Sequence, residues 1–128
     1  LHGELTKMRS TGDENLVYDC PNDINPGDNC EKGFQLRPHI VWFGENVPML
    51  SAAALEISTA DAAIIIGTSM QVYPAAGLIG YAPSGIPVYY VDPKPSINYE
   101  LGRSANLKIV EEKATTGVRK VVDDLMRI

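Results

Sequence analysis

The stretch AAIIIGTSMQVYPAAGL, Ala62 to Leu78, decides the architecture of this chain. Ala62 to Ile66 is a continuous apolar run of strand length that stops at Gly67, the pattern of a parallel strand covered on both faces. Pro74 then opens an Ala/Leu/Ile helix to about Tyr81. Further on, Pro87-Val88-Tyr89-Tyr90-Val91 reads as a second buried strand ending at Asp92, and Leu107-Lys108-Ile109-Val110 as a third. The last helix carries Val118, Val121, Val122, Leu125 and Met126 on one apolar stripe. Before the key stretch, Ile40-Val41-Trp42-Phe43 is a short extended segment closed by Gly44, and a helix follows Val47-Pro48, from Met49 to about Thr59. Strands alternating with helices predict an α/β fold with parallel strands and right-handed crossovers.

Residues 11–33 differ: they hold many turn formers and little apolar periodicity, and they read as a long loop or a small irregular subdomain. Residues 1–50 carry eight acidic and four basic side chains, so most of the negative charge lies in that part. The whole chain, 128 residues with 45% hydrophobic and 21% charged, has the composition of one ordinary globular domain. Its net charge of −5 argues against partners held by phosphate neutralisation, so nucleic acid and anionic membrane surfaces drop out. No apolar run approaches the roughly 18 residues of a membrane span, and no secretory signal opens the chain, which makes the cytoplasm the expected compartment. Cys20 and Cys30 lie in the turn-rich segment; a disulfide fits their spacing, but a lone pair without a secretory signal reads as two free thiols.

In open α/β sheets ligands sit beyond the carboxyl ends of the strands, and here those ends carry Gly67-Thr68-Ser69 and Asp92. A glycine allows close approach to the backbone, Thr and Ser offer hydroxyls and amides, and an aspartate accepts from ribose hydroxyls. The pattern suits a nucleotide, and the lack of a loop lysine excludes a GxxxxGK[ST] phosphate loop. The bland reading also stands at this point, with Gly67 a turn glycine and Asp92 a helix cap or a solvated carboxylate.

Two segments add more when read together. LRPHIVWFGENVP (Leu36 to Pro48) and GTSMQVYPAAGL (Gly67 to Leu78) resemble signature segments of the sirtuin family, the NAD-dependent protein lysine deacylases. The likeness spans nearly the whole chain and matches the C-terminal half of a sirtuin, with His2-Gly3 at the family's catalytic His-Gly. It implies a Rossmann-like parallel sheet, the second half of a sirtuin NAD-binding domain, over residues 40–128. Residues 1–39 would be the catalytic histidine segment and a remnant of a small irregular subdomain.

The same resemblance implies roles by residue. His2 would be the general base that deprotonates an NAD ribose hydroxyl; imidazole, with an ordinary pKa of about 6.5, suits that work. Taken alone, a histidine beside a chain end reads as a solvated side chain, and only the family match reverses this. Val41, Trp42, Phe43, Gly44 and Glu45 would line the acyl-lysine tunnel and pair with an extended substrate peptide. Gly67, Thr68 and Ser69 would contact NAD, with Val72 near it, and Asp92, where the family often has Asn, would accept from the ribose. Pro93 and Lys94 would lie along the adenosine, and Lys113 and Ala114 beside the adenine.

The activity so implied is acyl transfer from lysine to ADP-ribose with nicotinamide release. The alternative is a non-catalytic NAD or ADP-ribose-binding module, which would need neither His2 nor the 41–45 segment. Sirtuins usually carry four zinc-binding cysteines as two CxxC-like pairs; two thiols with distant His2 and His39 make no tetrahedral set, so neither zinc nor any other metal is expected. The chain opens on Leu1-His2-Gly3 without a methionine, and the family's N-terminal glycine-rich loop and nicotinamide pocket do not occur in it. The expectation is a fragment, inactive alone, whose partners are an acyl-lysine protein or peptide and the missing N-terminal half of the same protein. Its Ile64–Ile66 strand should present an apolar edge.

Overall fold

The computed structural model describes residues 1–127. The chain divides into two compact units, Leu1–Pro48 and Met49–Ile128.

The first unit is a three-stranded antiparallel sheet of β1 (Gly3–Ser10), β2 (Val17–Asp19) and β3 (Leu36–Ile40), in the order β2-β1-β3. β1 escapes sequence reading because GELTKMRS has no apolar alternation; it becomes a strand by pairing with segments on both sides. Its register against β3 shifts between Glu4 and Met8, a bulge that lets Pro38 sit opposite Met8 on an edge strand. The extended segment expected at Ile40 to Phe43 is displaced: the strand ends at Ile40, and Trp42 to Glu45 form a turn. The Glu45 amide donates to the Trp42 carbonyl at 3.1 Å, and Gly44 takes φ +86°, so the chain reverses where β propensity alone would continue it.

The 11–33 segment is mostly turn, with β2 and an isolated bridge from Asn29 to Gln35. Polar side chains pin it. Ser10 Oγ accepts from the Gly12 and Asp13 amides, each at 3.2 Å, and from the Cys30 thiol at 3.3 Å. The Gln35 amide nitrogen donates to the Asn25, Asp28 and Leu36 carbonyls at 3.0, 3.1 and 3.0 Å, while its oxygen accepts from Gly27 at 2.8 Å. Lys32 pairs with Asp13 at 2.7 Å, and the Tyr18 hydroxyl donates to Glu31, a bond that pushes the phenol pKa up to about 12.

The second unit opens with α1 (Leu50–Ser58), whose half-buried positions Leu50, Ala53, Ala54 and Ile57 fall at i, i+3, i+4 and i+7. Then come β4 (Ala63–Ile66), a 3-10 helix (Ala75–Tyr81), β5 (Val88–Val91), a 3-10 turn (Leu101–Arg103), β6 (Leu107–Val110) and α2 (Ala114–Leu125). The strands run parallel in the order β4-β5-β6, with Ala63 opposite Val88 and Val88 opposite Leu107. Alternation divides the sheet into two apolar faces. Ala63, Ile65, Val88, Tyr90 and Leu107 pack with Met70, Ile79, Leu101 and Ile57 of α1, while Tyr89, Val91 and Val110 pack against Val118, Val121 and Leu125 of α2.

Three details depart from expectation. The 74–81 helix is 3-10 rather than α, as suits a short segment interrupted by Gly77 and Gly80. Val122 and Met126 are exposed, the latter by 82%, and Gly117 with Val121 forms the buried part of α2. β4 is not covered on both faces: Ile64 and Ile66 are 39% and 44% exposed, because β4 is an edge strand and α2 packs on β5 and β6.

Candidate functional site

Within the first unit the sheet holds His2 beside the 41–45 turn. Gly3 pairs with Ile40 and Glu4 with His39, and the Val41 amide donates to the His2 carbonyl at 2.9 Å. At Gly3, with φ +95°, a Cβ would overlap the His39 carbonyl, so a residue without a side chain is required for β1 to reach β3. The backbone of His2 is therefore fixed while its side chain is exposed.

Beyond the ladder, Trp42 and Phe43 project into solvent, 55% and 94% exposed. The turn carrying them is clamped from behind by Glu45. Its carboxylate accepts from the Trp42 amide at 3.0 Å, from Arg37 at 2.6 and 3.2 Å, and pairs with the buried Arg9 at 3.5 Å. Both guanidiniums also donate to the Ile40 carbonyl, at 3.5 Å from Arg9 and 3.4 Å from Arg37. Glu45 is thus committed to shaping the turn.

The Arg37 hydrogen bond, then the Trp42 amide, hold the Glu45 carboxyl below the usual glutamate range. A folded-state pKa below the unfolded one stabilises above the unfolded pKa, and the contribution is lost as pH falls through the folded pKa. The urea midpoint, followed by the fluorescence of the single tryptophan, should therefore fall on acidification below about pH 4.3, the ordinary glutamate value. Glu45→Gln should flatten that part of the profile; an unchanged slope would separate Glu45 from acid unfolding.

In the second unit the parallel sheet brings the ends of β4, β5 and β6 to one edge. The Gly67 amide donates to Val91 at 3.0 Å and the Asp92 amide to Val110 at 3.2 Å, so Gly67, Asp92 and the residues after Val110 are neighbours there. Gly67 takes φ +60° with open space where a Cβ would stand, and Thr68 and Ser69 beside it are exposed. Met70, a non-glycine residue at φ +55°, is buried and turns the loop back; its amide donates to the Thr68 hydroxyl at 3.3 Å. One Asp92 oxygen accepts from the Lys94 amide at 2.7 Å. Val72, Pro93 and Lys94 are exposed on these loops, and Lys113 and Ala114 are the cap and first residue of α2.

Sequence reading missed Tyr90, which it assigned to the core. Its hydroxyl donates to the Thr68 carbonyl at 2.5 Å and accepts from the Ser96 amide at 3.1 Å, which joins the loops after β4 and β5. The available signal was the Tyr89-Tyr90 pair itself, since a buried tyrosine needs a partner for its hydroxyl.

The Cys20 thiol donates to the Asn22 carbonyl at 3.1 Å and Cys30 to Ser10, and both thiols are free. Among the described residues no group of three or more His, Cys, Asp or Glu side chains is placed to hold a metal ion. No helix among them is long and apolar enough to cross a membrane.

Comparison with known proteins fits this arrangement. A family model described as "Sir2 family" matches residues 1–74, more than half of the chain. A relative in Helicobacter pylori named "NAD-dependent protein deacylase" is 44% identical over 128 residues, covering 100% of this chain and 55% of the relative. The crystal structure of a Sir2 homolog–NAD complex is 33% identical and superposes with a TM-score of 0.75, over 99% of this chain and 48% of that one. Sir2Tm bound to a propionylated peptide is 27% identical with a TM-score of 0.73, over 98% of this chain and 55% of that one. The chain thus spans about half the length of the relatives it matches. A family model over more than half of the chain and a relative 44% identical along its whole length make this chain, with its parallel, Rossmann-like sheet, a member of the Sir2 family.

Proposed function

We propose that this chain forms the C-terminal part of an NAD-dependent protein lysine deacylase, acting joined to the rest of a catalytic domain about twice its length. The observation that carries this reading is the bond from the Val41 amide to the His2 carbonyl. It fixes a histidine next to a turn whose apolar side chains stand uncovered, which a nucleotide-binding module without chemistry would not need. An acylated lysine chain is an apolar stem with a neutral amide, suited to Trp42 and Phe43, while its peptide backbone can pair with the extended segment.

NAD, when bound, supplies the ADP-ribosyl acceptor for the acyl group and gives up nicotinamide. On the protein side, the open backbone at Gly67, the hydroxyls of Thr68 and Ser69 and the free oxygen of Asp92 suit a nucleotide's phosphate and ribose groups. Val72, Pro93, Lys94, Lys113 and Ala114 would flank its adenosine end. A His2 ring nitrogen takes the proton of a ribose hydroxyl and so activates that oxygen for acyl transfer.

The test is an assay of the whole protein with NAD and an acyl-lysine peptide. One nicotinamide released for each acyl group lost is expected; ADP-ribose binding without turnover would favour the nucleotide-binding module instead. The 128-residue chain alone should turn over nothing. We also propose that the first unit folds without zinc, its turns held by Ser10, Gln35 and the Lys32–Asp13 pair. Elemental analysis should find no stoichiometric zinc, and EDTA should leave the melting temperature unchanged; one bound zinc per chain would overturn this.

A further inference from the structure

We infer that the Tyr90 hydroxyl positions the nucleotide site by tying the loop after β4 to the loop after β5, an inference that rests on the functional reading above. Tyr90 is fully buried, and its ring packs in the core with Leu101 and Ile79. Its oxygen lies at the edge of that core. It donates to the Thr68 carbonyl at 2.5 Å and accepts from the Ser96 amide at 3.1 Å, so one atom joins two loops outside the strand ladder. Because that oxygen is carried on a packed ring in the central strand, it sets the spacing of the loops from below.

Other contacts act in the same direction. Gln71 donates to the Ser96 hydroxyl at 3.3 Å, a second tie between the same loops on the exposed side. Asp92, at the base of the second loop, accepts from the Lys94 amide, so that loop is ordered before Ser96 is reached. The ladder bond from the Gly67 amide to Val91 sets Gly67 beside Asp92, and the Tyr90 hydroxyl sets how Thr68 and the loop leading to Ser96 stand beyond that point.

Tyr90→Phe keeps the ring and its packing and removes only the oxygen, leaving the Thr68 carbonyl and Ser96 amide without that partner. The loops would then hold the binding arrangement for a fraction of the time, and apparent affinity falls by that fraction. Tyr89→Phe is the control. Tyr89 is also buried, but its hydroxyl donates to Asp124 at 2.6 Å on the α2 side of the sheet, away from both loops.

ADP-ribose binding to the whole protein, by calorimetry, reads the difference. Tyr90→Phe should raise the Kd roughly five- to tenfold and the KM for NAD in parallel, with kcat at saturating NAD within about twofold and the KM for acyl peptide unchanged. Amide exchange in residues 67–71 and 92–96 should quicken together. Tyr89→Phe should lower the melting temperature and leave the Kd alone. A Tyr90→Phe Kd within twofold of wild type, or equal weakening by Tyr89→Phe, would overturn the inference while the deacylase reading stands. A wild-type protein that binds no ADP-ribose would overturn both.

Discussion

Alanine at His2 should lower acyl transfer by roughly 10²- to 10⁴-fold, the usual contribution of a positioned general base. ADP-ribose affinity and melting temperature should change little. The separation follows from how the residue is held. Its backbone carbonyl, not its ring, accepts the Val41 amide at 2.9 Å, so alanine keeps the strand contact. Its side chain is exposed, so little buried surface is lost. The nucleotide groups lie on loops of the second unit, built on a different sheet. Single-turnover assays with NAD and acyl peptide, beside calorimetry with ADP-ribose, give the two readings. Turnover within tenfold of wild type would remove His2 from the proton transfer.

The second large effect is on stability. Gly117 lies on the buried face of α2, where a Cβ would stand 2.5 Å from Val91 Cγ1, 3.2 Å from Val110 Cγ1 and 3.4 Å from Glu112 Cβ. Val91 is fully buried in the central strand and cannot yield without moving β5. Gly117→Val adds branching to that overlap and should cost about 3 kcal/mol, the upper end for overpacking a well-filled core. For a unit of this size that lowers the melting temperature by roughly 10 °C or more. Gly117→Ala should cost less, since about 1 kcal/mol of helix propensity is recovered. Urea unfolding followed by far-UV circular dichroism measures both, and a valine variant with an unchanged midpoint would show that α2 can lift from the sheet at no cost.

The close approach at Gly117 was not legible from VRKVVDDLM, where apolar spacing placed Val122 and Met126 on the packed stripe. The sheet decides otherwise, because α2 lies over β5 and β6 with Gly117, Val121 and Leu125 beneath it. β1 was invisible for a related reason: Glu4, Thr6, Lys7 and Arg9 offer no apolar face, and the strand exists only through its two partners. Of the candidate site, the positions at the strand ends were readable, whereas the turn from Trp42 to Glu45 falls partly where an extended segment was expected. Arg9, Arg37 and Tyr90, which hold those positions in place, were not readable.

Local chemistry settles what a local pattern can carry. The runs Ala62–Ile66 and Val88–Val91, each ended by a residue that breaks the apolar pattern, determined the parallel strands and which loops would stand at their ends. Pairing partners and the destinations of polar side chains depend on groups far away along the chain, and no periodicity encodes them. Thus only the tertiary structure could show that Arg9 and Arg37 converge on Glu45, or that a core tyrosine reaches out of its strand to join two loops. A buried donor or acceptor must find a partner wherever the fold brings one within about 3 Å.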